Sequence, residues 1–174
     1  MDADYATPND IIGEGACFDR SYVEKRWTTA DGYEACVVIL MHYGEKRGHP
    51  KYRVGYVAVP PGHPLHGMTI SALWDEAVRA ETDEDKLLGN DGGCSVAFGA
   101  MNPRLGMPDG WWNFGWDANH SWHHDLTPDP ETWRIDHGHY THSVSARDAE
   151  LSCNGLSADL RKIAERLAAK AGGA

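Results

Sequence analysis

The chain has 174 residues, of which 41% are hydrophobic and 24% charged, and it carries a formal net charge of −10. This length and composition are those of one ordinary globular domain, which argues against a disordered, collagen-like or coiled-coil chain. Because nucleic acids and anionic membranes bind proteins through Lys and Arg, the negative charge also argues against direct binding to either of them.

The N-terminal part of the sequence predicts an irregular arm followed by three strands. Residues 1–20 are rich in Gly, Asp and Asn without periodicity, so we expect an arm with weak order. Residues 22–28 and 33–42 flank an Asp-Gly turn, and residues 52–59 are rich in β-branched and aromatic side chains. The three segments predict an antiparallel meander, whose middle strand is apolar throughout and should be buried on both faces.

The middle of the chain predicts a short helix and two further strands. Apolar residues recur at helical spacing over residues 69–79, with Ser71 as the candidate for the N-cap. Residues 94–98 and 111–116 have the composition of strands, and a loop rich in Gly and Pro separates them.

The C-terminal segment predicts the longest helix. Residues 144–169 contain no proline and place four leucine and isoleucine side chains on one apolar stripe. Ser145 and Asp148 have capping-box spacing at its start, whereas Gly155 weakens the middle, where the helix could divide. We therefore expect an α+β fold: an antiparallel sheet of about five strands packed against a long C-terminal helix and one short helix. Residues 21–174 should form this single domain.

The cysteines and the apolar segments indicate the cellular compartment. The four cysteines, Cys17, Cys36, Cys94 and Cys153, are far apart in sequence without a CxxC pair, which argues for reduced thiols. The sequence lacks a basic start followed by a long apolar run, and no stretch of about 18 apolar residues occurs in it. We expect a cytoplasmic protein that does not associate with a membrane.

Residues 117–125 offer ligands for a metal ion. The candidate ligands are Asp117, His120, His124 and Asp125. A helical turn after Asp117 would bring the first three to one side, where they would suit zinc, manganese or iron and would activate a bound water for hydrolysis. His139 and His142 would then act as the general acid or base. The alternative is that these histidines are structural or lie on the surface, because the segment matches no established zinc signature.

The same region is rich in aromatic residues and suits a ligand pocket. The candidate ligand-binding residues are Gly92, Gly93, Trp112, Trp116, Asn119 and Trp122. Aromatic rings stack on flat ligands, and polar side chains form hydrogen bonds with the edges of such ligands. A Gly-Gly turn lets backbone N–H groups approach an anion. The alternatives are that Trp112, Phe114 and Trp116 fill the core from one face of a strand, and that the glycines serve only turn geometry.

Two further features allow functional interpretations. His63 and His66, together with His49, could reach a site at the edge of the sheet, although their Pro and Gly neighbours favour a rigid loop. Residues 75–91 hold seven acidic side chains against one Arg and one Lys, which predicts either a solvated helix face and loop or a mimic of a phosphate backbone.

Three segments of the sequence resemble a known family. They are residues 52–67 (YRVGYVAVPPGHPLHG), 91–99 (DGGCSVAFG) and 111–125 (WWNFGWDANHSWHHD). With the C-terminal helix, they resemble an uncharacterised family of small proteins common in phages of actinobacteria. The chain departs from the family pattern at Asp91, where the family has histidine, and at Trp116, where it has phenylalanine. The resemblance implies a phage-encoded accessory protein of the host cytoplasm and brings no established activity.

The sequence leaves three functions open. The leading one is a phage-type accessory protein that binds a small ligand, such as a nucleotide-like molecule, or a host protein, with a role in counter-defence. The second is a metal-dependent hydrolase that uses the histidine and aspartate residues with one zinc or manganese ion. The third is an acidic inhibitor that occupies the nucleic-acid site of a host protein.

Overall fold

The computed structural model describes residues 20–41, 51–80, 87–88, 96–100, 105–117, 135–136, 141–142 and 145–173. The main sheet contains β1 (Arg20–Thr28), β2 (Glu34–Met41), β3 (Lys51–Val59), β4 (Val96–Ala100) and β5 (Trp112–Asp117), in the order β1-β2-β3-β5-β4. The helices are α1 (Ile70–Ala80) and α2 (Ala146–Gly172), and a short pair is formed by β6 (Ile135–Asp136) and β7 (Thr141–His142). Every strand pair among the described residues is antiparallel and the sheet packs against two helices, so the predicted α+β class is confirmed.

Strands β1 to β3 form the meander that the sequence predicts. The turn between β1 and β2 contains Gly32 at a φ of +83°, a left-handed conformation that glycine adopts without steric cost. Strand β2 lies between β1 and β3, and its residues 35–39 are all buried. The uninterrupted apolar run therefore corresponds to a strand covered on both faces, as predicted.

The two faces of the sheet carry two separate apolar clusters. The main core lies between one face and the two helices, and its members include Ala35, Val37, Val57, Phe114, Trp116, Leu73, Cys153, Leu160 and Ile163. On the opposite face, Val38, Val54 and Ala58 pack with Leu105 and Met107 from the segment that precedes β5. Along β2 and β3, residues alternate between the two clusters because successive side chains point to opposite faces.

The predicted N-terminal cap is correct for α2 and wrong for α1. At α2, the Ser145 hydroxyl accepts a hydrogen bond from the Asp148 N–H (3.1 Å) and donates to its carboxylate (2.7 Å), as the capping-box spacing predicts. At α1, the Thr69 hydroxyl accepts from the Ala72 N–H (3.3 Å), so Thr69 is the cap and the prediction of Ser71 is wrong. Ser71 already lies within the first turn of the helix.

Helix α2 is continuous over 27 residues and does not divide at Gly155. Cys153, Leu156 and Ser157, on either side of the glycine, are buried, so tertiary packing outweighs its low helix propensity. Strand β4 begins two residues after the predicted start, and residues 94–95 lie outside the described residues. Within the described ranges, no helix is long and apolar enough to span a bilayer.

Candidate functional site

Most site residues predicted from the sequence lie outside the described residues. These are Gly92, Gly93, Asn119, His120, Trp122, His124, Asp125 and His139. Asp117 is the last residue of β5, and His142 is the last residue of β7. Within the part of the chain that the structure describes, no three His, Cys, Asp or Glu side chains are placed to hold a metal ion. The metal site therefore remains a prediction about residues 117–125.

Trp116 is a core residue. It is one of the two predicted ligand-binding tryptophans whose side chains the structure describes. Its side chain is 2% exposed and belongs to the main core with Phe114 and Cys153. A Cβ atom added at Gly55 would lie 2.4 Å from the indole and 2.5 Å from the Cys153 Sγ, so the indole lies directly against the β3 backbone. In this structure, the ring is therefore enclosed by protein and not open to a ligand.

Trp112 occupies a different position, at the opposite end of β5. It pairs with Val59, the last residue of β3, and is half-buried against the edge of the main core. Its ring centroid is 6.0 Å from that of His66, with an angle of 55° between the planes. The indole Nε1–H is buried, and no described residue accepts a hydrogen bond from it. The Trp116 Nε1–H likewise has no acceptor among the described residues, so Trp112 differs from Trp116 in combining such a donor with a ring that is only half-buried.

The segment between β3 and α1 places His66 beside Trp112 and His63 beside Tyr33. Its backbone is held by three hydrogen bonds, from the N–H groups of His63, His66 and Met68 to the carbonyls three residues earlier. Leu65 is fully buried and anchors the segment in the main core. The segment is therefore the hydrogen-bonded loop that its Pro and Gly content predicts.

His63 contacts the first residue after the β1–β2 turn. The Tyr33 hydroxyl is 2.9 Å from the His63 Nε2, and the two rings meet edge to face with their centroids 5.2 Å apart. On the other side of the imidazole, Nδ1 accepts a hydrogen bond from the backbone N–H of Leu65 (3.2 Å). The two hydrogen bonds fix the orientation of the imidazole between the tyrosine and the loop.

Both members of this pair are kept neutral by their surroundings. Burial lowers the pKa of His63, and the neighbouring His66 lowers that pKa further. Burial also raises the pKa of the Tyr33 hydroxyl, and the nearby carboxylate of Asp31 adds to that increase. At neutral pH the pair therefore consists of an uncharged imidazole and an uncharged phenol.

His66 lies in the same loop as His63 and contacts Trp112. Its Nε2 lies 2.8 Å from the carbonyl oxygen of Gly110. Because a carbonyl only accepts hydrogen bonds, Nε2 carries the proton and donates. No described residue hydrogen-bonds to Nδ1, which in a neutral ring is an acceptor. We name the group formed by Tyr33, His63, His66 and Trp112 the turn site.

The sequence indicates only part of the turn site. The histidines and Trp112 stand out as candidates, whereas Tyr33 does not, because nothing in its local sequence marks it. The signal that identifies it is the strand pairing: Glu34 pairs with Ala58, so the start of β2 and the end of β3 lie side by side. A meander therefore brings the residue after the first turn next to the residues that follow the third strand.

Comparisons of the chain with protein-family models, with curated proteins and with solved structures find no match. The described residues define an α+β protein with a cluster of aromatic and histidine side chains where β5 begins and β3 ends. Its function is therefore inferred from the chemistry of that cluster.

Proposed function

We propose that this chain is a phage-type accessory protein that binds a small, flat ligand at the turn site, with a nucleotide-like molecule as the leading candidate. The single observation that carries this proposal is the half-buried indole of Trp112, whose Nε1–H has no acceptor among the described residues. A buried donor without an acceptor costs about 1–3 kcal/mol. A ligand atom that accepts this hydrogen bond would recover that free energy on binding.

The neighbours of Trp112 supply the other features that a ligand site needs. Small-molecule sites combine apolar walls with a few placed polar groups, and flat ligands bind by stacking on aromatic rings. His66 and Tyr33 provide such polar groups: His66 contacts Trp112, Tyr33 contacts His63, and a backbone hydrogen bond from the His66 N–H to the His63 carbonyl (2.9 Å) joins the two contacts. Because the Trp112 nitrogen is covered in the free protein, the ligand reaches it by displacing a neighbour. His66, held by one side-chain hydrogen bond, is the candidate.

A thermal-shift screen with AMP, GMP and their cyclic forms tests the proposal on the full chain. A ligand present at 100 times its dissociation constant should stabilise the protein by roughly 2.7 kcal/mol. Trp112→Phe keeps an aromatic side chain and removes the Nε1–H, so it should fold normally and bind about tenfold more weakly.

The matched control is Trp111→Phe. Trp111 is the preceding residue and packs against the cluster on the opposite face of the sheet, so its substitution should leave binding unchanged. The proposal fails if no nucleotide stabilises the protein, or if Trp112→Phe binds as tightly as the unmodified chain.

The phage origin and the role in counter-defence rest on the sequence resemblance. Binding of a nucleotide-like molecule fits that setting, because a protein that binds a small signalling molecule lowers the concentration of that molecule available to a host response. The metal-dependent hydrolase and the acidic mimic gain no support from the described residues. Glu76, one of the described acidic residues, bonds to Arg79 and to Lys170 of α2 (2.9 Å to the Lys170 Nζ), so it serves packing of the two helices.

A further inference from the structure

We infer that the turn site recognises the uncharged, hydrogen-bond-accepting edge of a nucleobase and not a phosphate. In this arrangement, Tyr33 is the donor and His63 is the positioning residue that directs the hydroxyl hydrogen of Tyr33 away from the imidazole. The inference rests on the proposed function, because it specifies which part of a nucleotide-like ligand the same site binds.

The direction of the Tyr33 proton follows from the two hydrogen bonds of His63. A backbone N–H only donates, so the Leu65 N–H requires a lone pair on the His63 Nδ1. The neutral ring must then carry its proton on Nε2, which donates to the Tyr33 oxygen. The hydroxyl hydrogen of Tyr33 therefore points away from His63, and no described residue accepts it. The hydroxyl can donate to a ligand atom.

The charges around Tyr33 disfavour a phosphate. Those that act on its hydroxyl are Asp31, Arg161 and Glu165. The guanidinium of Arg161 donates to Asp31 (2.7 Å from Nε) and to Glu165 (2.7 Å from Nη1), so two carboxylates surround one cation. A phosphate at Tyr33 would therefore meet a negative surrounding, whereas a carbonyl oxygen or ring nitrogen accepts a hydrogen bond without this repulsion.

Calorimetric titration of the full chain with matched pairs tests the inference. Adenosine and AMP form one pair, guanosine and GMP the other, and inorganic phosphate serves as a competitor. A nucleoside should bind within about threefold of its nucleotide, phosphate should not compete, and Tyr33→Phe should weaken both members of the pair about tenfold. A nucleotide that binds tenfold more tightly than its nucleoside, or displacement by phosphate, would overturn the inference and leave the proposed function intact. If neither member of either pair binds, both are overturned.

The positioning role of His63 needs a readout that a purely structural role would not change. Nitrogen-15 NMR of the imidazole should show the proton on Nε2 in the free protein. His63→Gln offers an amide donor near the position of Nε2 and should retain affinity within about threefold. His63→Asn is too short to reach Tyr33 and should lose about tenfold while keeping the fold. A ring protonated on Nδ1, or equal affinity of the two variants, contradicts the role.

Discussion

The indole of Trp116 lies against the backbone of Gly55, its partner on the neighbouring strand β3, so closely that a Cβ at residue 55 would be 2.4 Å from the ring. The next pair of residues repeats this relationship on the opposite face of the sheet. There Tyr56 pairs with Gly115, and a Cβ at residue 115 would be 2.6 Å from the Tyr56 ring. Each aromatic side chain covers the strand position that a glycine leaves open, which fixes the register of β3 and β5.

Gly55→Ala should therefore destabilise the protein by about 1–3 kcal/mol, the usual cost of overpacking a filled core. The added methyl group would contact both the Trp116 indole and the Cys153 Sγ, which are buried in the main core. Chemical denaturation of the purified variant measures the change. Gly99→Ala is the control, because the nearest atoms to its Cβ would be 3.5 Å away, an ordinary contact distance. Similar losses in the two variants would contradict the close packing at Gly55.

Gly155→Ala should have the opposite effect. Gly155 is an exposed residue in the interior of α2, and nothing lies within 4 Å of the position that its Cβ would occupy. Alanine is favoured over glycine in a helix by about 1 kcal/mol, so the melting temperature should rise by about 2–4 °C. Gly32→Ala should lower it, because the φ of +83° strains an alanine. A loss of stability in Gly155→Ala would show that the glycine has a specific role.

The sequence predicts those parts of the fold that depend on local patterns. The apolar run of β2, the Asp-Gly turn and the capping box at Ser145 each require only neighbouring residues, and each is present in the structure. The cap of α1 is wrongly predicted because Ser71 and Thr69 are both competent hydroxyl residues two positions apart. The local sequence does not distinguish them, and the structure shows the Thr69 hydroxyl at the cap.

The candidate site is less predictable because its residues come from distant parts of the chain. Tyr33 meets His63 across 30 residues, and His66 meets the Gly110 carbonyl across 44. Composition marks the histidines and tryptophans as unusual, but only the strand order shows which of them are neighbours. The same applies to Trp112 and Trp116, which look equivalent in sequence and differ in whether the ring is enclosed.

Ser157→Ala should reveal the chain of hydrogen bonds that holds α2 on the β1–β2 turn. The Ser157 hydroxyl is fully buried and donates to Asp31 (2.7 Å), so it accepts from the Thr29 hydroxyl (2.8 Å). Thr29 in turn accepts from the Tyr33 N–H (3.2 Å). Removing the central hydroxyl leaves the Thr29 hydroxyl hydrogen without its acceptor and removes one of the donors to Asp31, which should cost about 1–3 kcal/mol in the free energy of unfolding.

A double-mutant cycle with Thr29→Val separates this network from simple loss of packing. If the hydrogen bonds act together, the two substitutions should be non-additive by about 0.5–3 kcal/mol. Ser71→Ala is the control, because Ser71 is exposed on α1 and its substitution should change stability by less than about 0.5 kcal/mol. Additive effects of Ser157→Ala and Thr29→Val would contradict a connected network.

The titration of His63 should make the stability of the protein depend on pH in a defined direction. In the unfolded chain a histidine has a pKa of roughly 6.5, and burial lowers the pKa of His63 in the folded protein. The unfolded state therefore binds more protons between the two values, so stability rises with pH across that interval. This contribution is complete above the unfolded pKa and is lost as the pH falls through it toward the folded pKa. Protonated Nδ1 also cannot accept the Leu65 N–H, so the hydrogen bond that orients the ring disappears in acid.

Unfolding free energies of the unmodified chain and of His63→Gln, measured by denaturant titration from about pH 8 to about pH 5, test this dependence. The other histidines are common to both proteins, so the difference between the two curves isolates His63. The unmodified chain should lose more stability than the variant as the pH falls below roughly 6.5. Parallel curves would mean that the ring is as easily protonated in the folded protein as in the unfolded chain. The arrangement of Leu65, His63 and Tyr33 would then not hold the ring in its neutral form.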